Sequence, residues 1–162
     1  MSGKLIVVGM ADLKVTTAPN ALTTIGLGSC VGIALYDTKA KVAGLAHIML
    51  PTSSLIQANL NPAKFADTAT LKLLAEMSRL GANPTNIRAK IAGGAQMFNF
   101  DSTNENLRVG DRNVESIRQV LAAQRIPIIA EETGSTFGRT VEIYAEDGRF
   151  VIKAIGQEPR VL

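Results

Sequence analysis

One cysteine, one histidine and no tryptophan occur in this chain of 162 residues. A lone cysteine excludes an internal disulfide, and one cysteine with one histidine cannot build a zinc site. The cysteine usage fits a reducing compartment, so a cytoplasmic protein is expected. Aromatic residues reach only 4%, two Tyr and five Phe, and lend no support to a base-stacking nucleic-acid surface. No apolar run approaches the length needed to cross a bilayer. The start, "MSGKLIVVGMADLKV", has a short apolar run followed at once by Asp12 and Lys14, unlike a signal peptide or a membrane insert. The net charge of +3 is mild and scattered, and suits an acidic protein partner as well as anything else.

What is present is a globular composition, 46% apolar and 19% charged, without repeats or low-complexity linkers. A single domain over 1–162 is expected. "KLIVVG", extended through "LKVTT", reads as a first strand. "VGIALYD" and "KVAGLAHIML" read as two strands on either side of "DTKA", and Pro51 to Lys64 reads as a mobile loop. "FADTATLKLLAEMSRLG" predicts an amphipathic helix that buries Ala66, Ala69, Leu73, Leu74, Met77 and Leu80 and stops at Gly81. "IRAKIAGGAQMF" predicts a strand ending in a Gly-Gly turn. "DRNVESIRQVLAAQR" predicts a second helix, capped by Asp111, with Val114, Ile117 and Leu121 inward. "IPIIAEE", "RTVEIYAED" and "GRFVIKAIG" supply three more strands, the last two joined at Asp147-Gly148. About seven strands and two main helices make an α+β fold, a mixed/antiparallel β-sandwich-like core flanked by the helices. Several links are too short for parallel crossovers.

Cys30 and His47 both lie in "LTTIGLGSCVGIALYDTKAKVAGLAHIMLP". A hairpin with a two-residue loop at Thr38 and Lys39, or a four-residue loop with the same centre, sets Cys30 directly opposite His47 on one face. Their Cβ atoms would then be about 4.5–5.5 Å apart. A three- or five-residue loop sends them to opposite faces. An imidazole beside a thiol can take its proton and return it to a leaving group, and glycines in "GLGSC" let a substrate carbonyl approach backbone N–H donors. A lone cysteine is also often simply buried, and a lone histidine a satisfied polar residue.

"TIGLGSCVGIALYD" followed by "AGLAHIMLP" resembles the signature of the chemoreceptor glutamine deamidase family, CheD. The resemblance continues through "KFADTA", "AKIAGGAQMF", "RNVE" and "AEETG", and so spans nearly the whole chain. It implies a fold like that of toxin-type cysteine deamidases and hydrolysis of glutamine side-chain amides on the cytoplasmic helices of chemoreceptors. Receptor methyl esters are a further implied substrate, and a CheC-type phosphatase an implied partner. Cys30 would be the nucleophile, His47 the general base and acid, and Thr24 the residue orienting the imidazole. No metal or cofactor is called for. On one extended strand Thr24 and Cys30 would sit roughly 20 Å apart. Thr24 can serve His47 only if the chain turns back at Gly26 or Gly28, or if it acts from a neighbouring segment.

A non-catalytic module that binds and stimulates a CheC-type phosphatase is the alternative, and a redox-sensing Cys30 a third reading. "IAGGAQMF" lacks the Gly-Lys-Ser/Thr of a phosphate loop and reads as a turn presenting Met97 and Phe98, the latter a candidate partner contact. Glu131 and Glu132 should point to opposite faces. Ser29 reads as part of the loop, and Arg112 as a surface residue. "TGSTFGRT" departs from the Gly-Gly-x-x-Gly-Arg spelling of the resembled family.

Overall fold

Alternating and β-branched stretches dominate the described part of the chain, residues 3–53, 61–96 and 109–162 of the computed structural model. They form strands β1 (Leu5–Val7), β2 (Leu13–Thr17), β3 (Ala21–Leu27), β4 (Val31–Asp37) and β5 (Val42–Ile48). After helix α1 (Ala66–Arg79) come β6 (Arg88–Gly93), helix α2 (Val109–Ala123), β7 (Ile128–Thr133), β8 (Arg139–Tyr144), β9 (Phe150–Lys153) and β10 (Arg160–Val161).

The strands make two five-stranded sheets, β1-β3-β8-β9-β10 and β2-β5-β4-β6-β7. Among the described strands, parallel pairing joins β1 to β3 and β6 to β7, the latter bridged by α2, and one isolated parallel bridge joins Leu50 to Phe65. The expected mixed α+β sandwich is thus the observed architecture. Both helices lie on the second sheet, against β2, β4, β5 and β7. Every residue of β4 and β5 is buried. On one face Val31, Ile33, Leu35, Val42, Ala46 and Ile48 meet Leu73 and Met77 of α1 and Ile117 and Leu121 of α2. On the other, Ala34, Tyr36, Ala43 and Leu45 meet Leu22, Val141, Ile143, Phe150 and Ile152 of the first sheet. Burial on two sides explains why these strands read as continuous apolar runs rather than as alternation.

Five expectations need correcting. "KLIVVG" and "LKVTT" are not one strand; β1 and β2 belong to different sheets. β3, which the Thr-Thr and glycines of "ALTTIGL" disguised, pairs with both β1 and β8, and the short β10 was not expected at all. Helix α2 starts at Val109, so Asp111 stands in its first turn and does not cap it. In α1, Ala66, Ala69, Leu73 and Met77 are buried as the periodicity required, but Leu80, the cap residue after the last turn, is exposed. The centre of the Pro51–Lys64 segment and the Met97–Phe98 turn lie outside the described residues.

Candidate active site

Asp37 begins the turn that sets the register of the site. Its carboxylate accepts from the backbone N–H groups of Lys39, Ala40 and Asn83, and Lys41 closes the turn at φ 57°. The β4–β5 connection is therefore the four-residue turn 38–41, with Asp37 opposite Val42, Gly32 opposite His47 and Val31 opposite Ile48. This register is displaced by two residues from the one expected. His47 is not directly opposite Cys30 but diagonal to it, a spacing of roughly 7–8 Å between backbones. A shift of two preserves parity, so both side chains still face the space between the sheets.

Thr24 reaches the same space from the other sheet. After Leu27 the chain bends at Gly28–Cys30 and crosses from β3 into β4 of the other sheet, so the turn at Gly28 is present and Thr24 approaches His47 from a neighbouring strand. A β-bulge between Thr24 and Leu27 marks the approach to this bend, with Gly26 at φ 77°. The Thr24 side chain points inward and its Oγ1 lies 2.7 Å from His47 Nδ1. The same hydroxyl donates to the Val8 carbonyl at 2.7 Å. One hydroxyl proton cannot serve both acceptors, so the arrangement that satisfies all three groups has Nδ1–H donating to Thr24. Nε2 is then the unprotonated nitrogen. It is buried and without a hydrogen-bond partner among the described residues.

The backbone around the pair is held on several sides. His47 N donates to the Asp12 carbonyl and His47 O accepts from Ala11 N, both at 3.0 Å. Cys30 O accepts from Gly94 N, and Gly28 O from Ala95 N, both at 2.9 Å. Burial pushes the Cys30 thiol above its ordinary value, against a smaller opposing effect of its own backbone N–H. Burial likewise holds the His47 imidazole below its ordinary value. Both directions favour a resting pair of neutral thiol and neutral imidazole. With Nδ1 engaged and Nε2 bare, the imidazole is set up to accept a proton on one side only.

The neighbouring residues sort as the spacing suggested in two cases. Glu131 pairs with Arg118 of α2, while Glu132 turns to Arg139 and Arg160. The Gly93–Gly94 turn forms at the end of β6, and the start of the 134–140 loop is tied beside it through Gly134 N to Gly93 O and Gln96 N to Ser135 O. Ser29 lies in the bend and contributes its carbonyl. One nearby residue was missed. Asn113, fully buried on α2, donates from Nδ2 to the carbonyls of Ser29 and Met49, each at 3.0 Å. Only its place in "RNVE" hinted at it, because an asparagine in a helix carries no distinctive spacing.

A family model described as CheD chemotactic sensory transduction matches residues 49–154. "Probable chemoreceptor glutamine deamidase CheD" of Caldanaerobacter subterraneus subsp. tengcongensis is 55% identical over 156 residues, covering 96% of each chain. "Chemoreceptor glutamine deamidase CheD" of Halalkalibacterium halodurans is 49% identical over 154 residues, covering 94% of this chain and 95% of its own. The family model begins beyond Thr24, Cys30 and His47, whereas an alignment over 96% of the chain spans them. Among solved structures, the hypothetical protein YfiH of Bacillus licheniformis superposes with a TM-score of 0.46 at 20% identity, over 77% of this chain and 51% of that one. On the family model and the full-length relatives together, the chain belongs to the CheD family of chemotactic sensory transduction proteins.

Proposed function

We propose that this protein is a single-domain chemoreceptor glutamine deamidase in which Cys30, His47 and Thr24 act as one unit. The observation that carries the proposal is the bare, buried Nε2 of His47, its partner nitrogen fixed by Thr24, on the inward face that also holds the one cysteine. The relatives' names supply the substrate class, glutamine side chains of chemoreceptors.

The Cys30 sulfur attacks the glutamine amide carbon while its proton passes to His47 Nε2. Backbone N–H groups of the Gly28–Cys30 bend hold the oxyanion. The imidazolium, its Nδ1–H held by Thr24, gives its proton to the amide nitrogen, ammonia leaves, and a thioester remains on Cys30. Water then loses a proton to Nε2 and attacks the thioester. Glutamate departs, and the proton on Nε2 returns to the thiolate. A γ-methyl ester fits the same sequence with methanol as the leaving group. No residue of this route calls for a metal or cofactor. A CheC-type phosphatase as binding partner belongs to the same proposal, and binding by Cys30→Ala protein tests it apart from catalysis.

Mass spectrometry of a receptor cytoplasmic fragment, incubated with wild type, Cys30→Ala and His47→Ala, tests the reaction. Glutamine-to-glutamate conversion by wild type alone supports it. Equal conversion by Cys30→Ala refutes it.

A further inference from the structure

Backbone pairing between β4 and β5 ends at Val31 and Ile48, one residue short of Cys30. Beyond that point the two chains present carbonyl oxygens, Ser29 O and Met49 O, which cannot bond to each other. Both accept from the single Nδ2 of Asn113, at 3.0 Å. We propose that Asn113 is a positioning residue, a side-chain rung that fixes Cys30 relative to His47 after the ladder has ended; the inference rests on the deamidase reading above.

Two acceptors facing one atom require two donors on it, and the neutral group that supplies them is a primary amide. The same requirement settles the amide's orientation, with nitrogen toward the carbonyls. Oδ1 is left buried and without a partner among the described residues. Ser29 immediately precedes Cys30, and Met49 lies two residues after His47, so one planar group ties down both arms of the pair.

Asn113 reaches this place because α2 sits unusually close. A Cβ on Gly110 would come within 2.5 Å of the Gly94 carbonyl oxygen, and a Cβ on Gly94 within 2.5 Å of Val114 Cγ2. No side chain fits at either position. The helix therefore rests on the turn whose N–H already holds Cys30 O. Ser116, one turn further along α2, donates to the Pro51 carbonyl at 2.6 Å, beyond Met49 and four residues past His47, and so steadies the helix outside the Ser29–Met49 rung. Alignment of reacting groups is steep in its effect, since a misplacement on the order of 1 Å can lower a rate about 100-fold.

The test uses the full chain with Asn113→Asp, which keeps the shape but loses donors, Asn113→Ala, and Ser116→Ala as a helix-seating control. With a receptor fragment as substrate, both Asn113 variants are expected to lose about 10- to 100-fold in kcat with KM changed less than about twofold. Ser116→Ala should keep kcat. The Asn113→Asp rate relative to wild type should recover as pH falls, because a protonated carboxyl restores one donor. Folded Asn113 variants with wild-type kcat would overturn the proposal. So would a Ser116→Ala loss as large as theirs, or Asn113 variants that do not fold at all. Iodoacetamide labelling of Cys30 separates this from the deamidase reading. Should wild type convert no glutamine, the rung still predicts that Asn113→Asp slows labelling to the His47→Ala rate, and unchanged labelling overturns it.

Discussion

The sandwich has two ends, and each buries ionisable groups in a different way. At the end near the 38–41 turn, the Asp37 carboxylate accepts three backbone N–H bonds. Lys90 donates to the carbonyls of Gly148 and Leu162 at 2.8 and 2.7 Å, with the Tyr36 ring 5.0 Å away. At the end near Cys30, polar atoms are left over. His47 Nε2 and Asn113 Oδ1 are buried without a hydrogen-bond partner among the described residues, and the buried Glu132 Oε2 and Arg139 Nε meet only as an ion pair at 3.6 Å. Arg139 also donates to the Gly93 carbonyl, and Gly94 N donates to Cys30 O, so this ion pair sits by the turn beside the Cys30 bend. Buried polar groups in folded proteins are nearly always paired, and a cluster of exceptions marks where stability has given way to function. The turn end pairs its buried polar groups; the Cys30 end leaves His47 Nε2 and Asn113 Oδ1 without a hydrogen bond among the described residues.

The comparison breaks most visibly at Cys30. Cys30→Ala should lower kcat on a receptor fragment by roughly 10⁴-fold or more, as loss of a nucleophile does elsewhere. Its melting temperature should stay near wild type, because the substitution removes only the sulfur and leaves the bond from Gly94 N to the residue-30 carbonyl in place. A melting temperature that falls while conversion persists would reverse the assignment of this end.

How much of this was legible in the sequence follows from the same contrast. The turn end was read through local chemistry, since Asp147-Gly148 announced its hairpin, and the spacing of Val114, Ile117 and Leu121 announced the inner face of α2. The Cys30–His47 face was legible too, since a register displaced by two keeps parity. The displacement itself was not, because nothing local distinguishes a two-residue turn at Thr38–Lys39 from the four-residue turn that Asp37 caps. Thr24 was placed by resemblance, while its path to His47 depends on β3 and β5 belonging to different sheets, a tertiary fact. Asn113 was invisible for the same reason. Its partners lie 84 and 64 residues away along the chain.

Thr24→Val sharpens the comparison at the next level. The methyl replaces a hydroxyl that serves both His47 Nδ1 and the Val8 carbonyl. Loss of one buried partner is worth about 1–3 kcal/mol, so a kcat lower by roughly 10- to 100-fold is expected. Iodoacetamide labelling of Cys30 should slow with it. A full kcat would mean that the imidazole holds its tautomer without Thr24.

At the opposite end, Lys90→Met should do the reverse. Two buried carbonyls lose their donor, at a cost of about 1–3 kcal/mol, which for a chain of this size lowers the melting temperature by roughly 2–4 °C per kcal/mol. The kcat of the folded fraction should equal wild type. A selective loss of kcat would join the two ends functionally and undo the contrast between them.

The smallest effect concerns charge, and its sign discriminates between two resting states. Burial holds the folded His47 below its ordinary value of about 6.5, so between the two values the unfolded chain carries a proton that the native one lacks. Stability then rises with pH through that window and is lost as pH falls below about 6.5. Cys30 works at the other side: its folded thiol titrates above the unfolded one, so stability falls as pH rises past the ordinary thiol range. Measured by urea unfolding, wild type should therefore lose more stability than His47→Gln between pH 7.5 and 5, and more than Cys30→Ala at strongly alkaline pH. A resting thiolate–imidazolium pair would raise the histidine and lower the cysteine, and wild type would gain on His47→Gln as pH falls. The acid-side comparison thus decides whether the proton of Cys30 leaves before the substrate arrives or only during attack, which is the difference between a stored thiolate and one made on demand by Nε2.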